Sequence, residues 1–202
     1  MPSRFLLRNF EVGQTYHLVH RAPSGQTLFK DQADYQSFLL TLSYYLRFPD
    51  GAPLSWVPRL SPKSLAKKQG ESIHKGLVPC HLHAFLLLPD HYHLLLTENK
   101  GLTKAGISEL MRRLSVGWAM TYRGKYGGKG TIYKGKYKMV KVDTNKSSSL
   151  IKYLHSHPDT NSAFLKDPLH TSFMDYENNP RSWLKTLPLS ESEENITHLT
   201  ID

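Results

Sequence analysis

Residues 79–97 read PCHLHAFLLLPDHYHLLLT. Two apolar runs, 79–88 and 91–97, flank Pro89-Asp90, a pair that breaks a strand and favours a turn. Runs this close predict two antiparallel strands joined by a tight connection. Side chains alternate between the faces of a strand. Tyr92, Leu94 and Leu96 are therefore expected toward the core, with His91 and His93 together on the other side.

Upstream, QTYHLVH at 14–20 reads as a strand. Asp31 stands where a helix N-cap belongs. Tyr35, Phe38, Leu39, Leu42, Tyr45 and Leu46 follow at helical spacing and predict an amphipathic helix over 32–48. Residues 49–77 carry Pro49, Gly51, Pro53, Pro58 and Pro62, then Lys67, Lys68, Gln69 and Gly70, and read as an inserted basic loop. Downstream, Thr103 can cap a helix over 104–123 with the apolar stripe Ile107, Leu110, Met111, Leu114 and Trp118. A glycine-rich basic turn leads to TIYKGKYKMVKV at 131–142, a strand or hairpin arm. Asp143 or Thr144 can cap a third helix, through Leu150, Ile151 and Leu154 to His157, with Pro158 just past its end. The first six elements follow the β-α-β-β-α-β order of a ferredoxin-like sheet. The expected fold class is α+β, an antiparallel sheet with its helices on one face and the other face open.

Composition narrows the function. The 202 residues fit one domain with extensions, and 39% hydrophobic with 21% charged residues is ordinary for a globular chain. The single cysteine, Cys80, excludes an intramolecular disulfide framework and a four-cysteine zinc site. No run approaches the roughly 18 apolar residues of a membrane helix. The segment MPSRFLLRNF lacks the apolar core of a secretory leader, so a soluble cytoplasmic protein with no membrane partner is expected.

The formal net charge is +9. From Met111 to Val142 there are nine basic residues (Arg112, Arg113, Arg123, Lys125, Lys129, Lys134, Lys136, Lys138 and Lys141) and no acid, while the remainder of the chain balances. Trp118, Tyr122, Tyr126, Tyr133 and Tyr137 are interleaved with them. Basic side chains bind phosphates and aromatic faces stack on unpaired bases, so the window predicts nucleic-acid binding. Lys134, Lys136 and Lys138 alternate and would share one strand face.

His91 and His93 lie roughly 6–7 Å apart at Cα on one strand face, a spacing at which two imidazoles can bind one divalent cation. The same spacing also suits two ordinary polar residues on a half-exposed strand. His81-Leu82-His83 is a second such pair. The third helix offers Tyr153, His155 and His157, with Tyr153 and His157 one turn apart. Tyr153 borders the apolar stripe, where either a half-buried nucleophile or a packed boundary tyrosine can sit.

Five blocks come in the order and approximate spacing of a known group: Tyr16-His17-Leu18-Val19-His20-Arg21, Leu28-Phe29-Lys30-Asp31, Leu88-Pro89-Asp90-His91-Tyr92-His93-Leu94-Leu95-Leu96, Lys134-Gly135-Lys136-Tyr137-Lys138 and Tyr153-Leu154-His155-Ser156-His157-Pro158. As a set they resemble the single-tyrosine transposases of the HUH superfamily, in the REP-associated branch. The resemblance implies a catalytic domain over 1–176, with 49–77 as the inserted loop, and a C-terminal extension over 177–202. It implies metal-dependent nicking and strand transfer of single-stranded or hairpin DNA through a 5′-phosphotyrosine. Carried over residue by residue, Tyr153 is the nucleophile, and His91, His93 and His157 hold Mg2+ or Mn2+. Arg112, Arg113, Arg123, Lys134, Lys136, Lys138 and Tyr137 are the expected DNA contacts, and a homodimer is left open. Two other readings stand beside it. One is a non-catalytic nucleic-acid-binding regulator on the same fold. The other is a metal-dependent hydrolase using His81, His83, His91 and His93 together.

Overall fold

A computed structural model of the chain describes residues 9–49, 51–54, 61, 63–64, 67, 78, 80–99, 106–191 and 194–201. Four strands form one sheet: β1 (Thr15–Arg21), β2 (Cys80–Leu87), β3 (His91–Glu98) and β4 (Lys138–Val142). Their order is β2-β3-β1-β4, with every neighbouring pair antiparallel. Helix α1 (Gln32–Arg47) lies between β1 and β2 in the chain, and α2 (Gly106–Tyr126) between β3 and β4. This is the ferredoxin-like arrangement that the element order predicts. Three shorter helices follow: α3 (Ser147–Leu154), α4 (Ser162–Lys166) and α5 (Phe173–Glu177).

The local signals explain most boundaries. Asp31 caps α1, its carboxylate accepting from the Asp34 amide at 3.0 Å. At α2 the capping comes from elsewhere. The Glu98 carboxylate, at the end of β3, accepts from the Gly106 and Ile107 amides at 2.7 and 3.0 Å. An anion there satisfies donors that the helix cannot pair internally. Thr103, the expected cap, lies outside the described residues, as does most of the 49–77 loop. Helix α2 runs to Tyr126, beyond the expected 123, and stops at Gly127. That glycine takes φ 71° while its amide donates to Arg123 O at 2.8 Å, a left-handed C-terminal cap.

Two expected elements are shorter than predicted. Only Lys138–Val142 of the 131–142 segment pairs in the sheet. Gly130 and Gly135, at φ 94° and 69°, turn the chain away from an extended path before β4 begins. Lys134 and Lys136 therefore project from a loop and do not share a strand face with Lys138. The third helix starts at Ser147 behind a 3-10 turn (Thr144–Lys146) and ends at Leu154, so His157 follows the helix instead of closing it.

Strand parity divides the interior into two layers. Tyr16, Leu18, Phe85, Leu87, Tyr92, Leu94 and Leu96 face α1 and α2, packing on Phe38, Leu42, Leu114 and Trp118. The opposite face, expected to be open, is covered. Ala84, Leu86, Leu95 and Val142 lie beneath Leu150, Ile151 and Leu154 of α3 and Leu199 of the C-terminal segment. The three α3 side chains are fully buried, and each contributes about 1.5–3 kcal/mol by leaving water. They clamp α3, and with it Tyr153, to the face that carries His91 and His93. The segment after residue 177 is tied in by the Lys185 amide on Leu82 O at 2.9 Å and by the Ser190 amide on Ser148 Oγ at 2.7 Å.

Candidate active site

The β2–β3 turn is held from three sides. Leu88 and His91 exchange backbone hydrogen bonds across it. Pro89 O accepts from the Leu28 and Phe29 amides, and Asp90 O from the Ala22 amide at 2.7 Å. This fixes the start of β3. From there His91 and His93 project onto the α3 face, opposite Tyr92 and Leu94 in the first core. The turn after α3 brings His157 to the same place. Ring centroids are 4.9 Å apart for His91–His93, 5.4 Å for His93–His157 and 6.4 Å for His91–His157. Each residue offers a nitrogen within 4.8 Å of the other two. Tyr153, half-buried, sets its ring 5.1 Å from that of His157.

The cluster fits a divalent cation. His91, His93 and His157 are only 4%, 0% and 2% exposed. The Nε2 atoms of His91 and His93 are buried with no hydrogen-bond partner among the described residues, which is costly for polar atoms with nothing to bind. Burial, aided by the Arg21 charge, lowers the His91 pKa against the opposing pull of Asp90. Burial and the neighbouring His17, His91, His157 and Arg21 hold His93 well below 6.5. Both rings are thus neutral near pH 7, the state in which imidazole binds metal.

The hydrogen bonds of His91 and His157 favour different tautomers. His91 Nδ1 lies 2.6 Å from Asp90 Oδ1, so it carries the proton and leaves Nε2 with its lone pair. His157 Nδ1 instead accepts from the Asp159 amide at 3.3 Å, which puts its proton on Nε2. Ligation through that Nε2 requires the proton to move to Nδ1, toward the Asp159 carboxylate at 4.0 Å.

The expected DNA contacts separate. The window lacks acids in sequence but meets them in space. Glu109 accepts both from Arg112, at 2.7 Å through two donors, and from Arg113 at 2.8 Å. Arg123 bonds Gly130 O. Lys125 pairs with Asp31 and Asp34, and Lys141 with Glu11. Arg112, Lys136 and Tyr137 gather with His20, Ser115 and Tyr133 around a cleft of about 380 Å³ beside α2, on the sheet face away from the histidine cluster. Lys138 is opposite Val19 in the sheet and shares the histidine face. Lys134, Lys136 and Lys138 are exposed.

Sequence reasoning assigned no role to Arg21 or His17. Arg21 is the direct cross-strand partner of His91, and His17 reaches His93. The signal was available: His17, Val19 and Arg21 share one parity on β1. The four-histidine arrangement is not formed. His81 pairs with Thr97, six residues along β3 from His91 and roughly 20 Å away by strand rise. His83 is occupied by Lys185 O and Thr97 Oγ1, both at 2.7 Å.

No protein-family profile matches the chain, and no curated protein matches it. Among solved structures, a REP-associated tyrosine transposase bound to a REP hairpin superposes with a TM-score of 0.56. The chain has the fold of that transposase. The likeness covers 94% of this chain and 96% of the transposase at 14% identity. A bacterial tRNA(His) guanylyltransferase-like protein in complex with GTP is more distant, with a TM-score of 0.37, 9% identity and 79% and 76% coverage. No described helix is long and apolar enough to cross a membrane.

Proposed function

We propose that the chain nicks single-stranded or hairpin DNA in the cytoplasm and transfers the strand through a covalent link to Tyr153. The observation that carries this reading is the half-buried Tyr153 ring 5.1 Å from His157, a member of the buried three-histidine cluster. His91 and His93 would hold a divalent cation, with His157 as a third ligand after its proton shift. A bound cation polarises non-bridging phosphate oxygens and stabilises charge that develops on them. Imidazole donors favour a transition ion such as Mn2+ over the harder Mg2+.

The chain's own groups do the rest. The Tyr153 oxygen attacks phosphorus in line, its bond to phosphorus forms, and the phosphorus–3′-oxygen bond breaks. The phenol proton passes to water, and the leaving 3′-oxygen takes one from water. The products are a 5′-phosphotyrosine and a free 3′-OH. A free tyrosine has a pKa near 10, so it needs cationic surroundings to react near pH 7. Arg21, beside His91, supplies positive charge for the phosphate. Because the phosphotyrosine conserves the energy of the broken bond, another strand's 3′-OH can reverse the attack.

The test is incubation with hairpin-bearing single-stranded DNA and Mn2+. A covalent protein–DNA adduct is expected on a denaturing gel, absent in Tyr153→Phe. An adduct that persists in that variant refutes the assignment of the nucleophile. The second reading, a non-catalytic DNA-binding regulator, draws on the cleft of Arg112, Lys136 and Tyr137, which needs none of the histidines. It predicts hairpin binding without an adduct in any metal.

A further inference from the structure

His17 lies on β1, one strand over from His93, and its side chain shares the histidine face. Both residues are fully buried. His17 Nδ1 is 2.7 Å from the carbonyl oxygen of Leu199, and His17 Nε2 is 2.9 Å from His93 Nδ1. The rings are nearly coplanar, 15° apart, with centroids at 5.2 Å. That is the separation of rings meeting edge to edge through a hydrogen bond, not face to face.

With both rings neutral, hydrogen-bond chemistry sets the protons of this pair. A carbonyl oxygen only accepts, and a neutral imidazole has one N–H. The His17 proton therefore sits on Nδ1, facing Leu199, and His17 Nε2 keeps its lone pair. The hydrogen bond between the rings must use a proton from His93 Nδ1. His93 Nε2 is left with its lone pair directed into the cluster, where it has no hydrogen-bond partner among the described residues.

We propose that His17 is a positioning residue: together with the Leu199 carbonyl it fixes the tautomer of His93, so that His93 Nε2 stands ready as a donor to a divalent cation. The inference rests on the reading of His91 and His93 as metal ligands. It also gives the C-terminal segment a part in the site. The Leu199 side chain is buried in the second core, so the carbonyl that starts the relay is held by packing rather than by charge. His91 reaches the same tautomer through the half-exposed Asp90, a charged partner. The His93 arm does so through neutral groups and adds no charge of its own.

The tautomers can be read directly, by long-range 15N–1H NMR of the metal-free full-length protein. Both His17 and His93 are expected to carry their proton on Nδ1. A His93 ring protonated on Nε2 overturns the proposal. The energetic side uses His17→Leu, which offers His93 no acceptor, and His17→Gln, whose amide oxygen can accept from His93 Nδ1. Loss of a partner of this kind weakens metal binding roughly 10–100-fold. His17→Leu is expected to show that loss, read from the free Mn2+ signal by electron paramagnetic resonance, and His17→Gln to recover most of it. Equal Mn2+ affinity in wild type and His17→Leu, with matching thermal melts, also overturns the proposal. If the wild-type protein takes up no Mn2+, the metal reading fails, and the tautomer spectrum still judges the relay separately.

Discussion

Two buried histidines outside the cluster make the fold sensitive to mild acid. His83 and His155 are 3% and 9% exposed, and burial brings each down to a pKa of about 4 from an ordinary 6.5. In the unfolded chain both return to about 6.5. Between pH 6.5 and 4 the unfolded state therefore binds more protons, and stability falls as pH falls. Above pH 6.5 both states are neutral and the penalty vanishes; below pH 4 it is complete. At pH 5 each histidine costs about 2 kcal/mol by linkage, so the pair costs about 4 kcal/mol relative to pH 7.5. Both residues fasten outlying chain to β2. His83 Nδ1 donates to Lys185 O, and His155 Nε2 meets Ser172 Oγ at 2.9 Å, the hydroxyl whose oxygen also accepts from the Phe85 amide. Urea unfolding of the metal-free protein at pH 7.5 and 5.0 reads the difference. We expect a fall of about 4 kcal/mol from this pair in wild type, to which His91 and His93 add with the same sign and which the buried Glu98 carboxyl, held above its ordinary range by burial, opposes. In His155→Gln the pH-dependent fall should shrink by about 2 kcal/mol. Equal stability at the two pH values would refute the reasoning, since it would mean that these rings are hydrated or paired with an acid.

Leu154→Ala should destabilise the protein by about 2–5 kcal/mol, because a fully buried side chain leaves a cavity between α3 and the sheet. Thermal melts would detect it, and Mn2+ binding should weaken too, since the same helix leads into His157. His93→Ala should abolish the Mn2+-dependent rise in melting temperature that the wild type gains by binding only in its folded state; a retained rise would place the ion elsewhere. Lys136→Ala should weaken hairpin binding at low salt and flatten the log–log salt dependence by roughly 0.7–0.9, the share of one phosphate contact, measured by fluorescence anisotropy across a salt series.

What the chain states locally survived folding. Alternation in 91–97 put Tyr92 and Leu94 in one layer and His91 and His93 in the other, since strand parity depends on nothing beyond neighbouring residues. The Asp31 cap and the stripe from Tyr35 to Leu46 located α1 for the same reason. The stretch 131–137 misled because two left-handed glycines outweigh the alternation around them.

The strand and helix order, the paired histidines and the basic, aromatic-rich window were thus determined by the sequence alone. The tertiary structure decided which distant charges neutralise that window, since Asp31, Asp34 and Glu11 meet it only after the chain has folded back, whereas Glu109 pairs with Arg112 and Arg113 one turn away within α2. It also decided that a third helix and the C-terminal segment close the second sheet face, that Arg21 and His17 meet His91 and His93, and that Tyr153 lies against His157 of the same cluster. Such contacts depend on register between strands and on packing between distant segments, and no local period in a sequence encodes either.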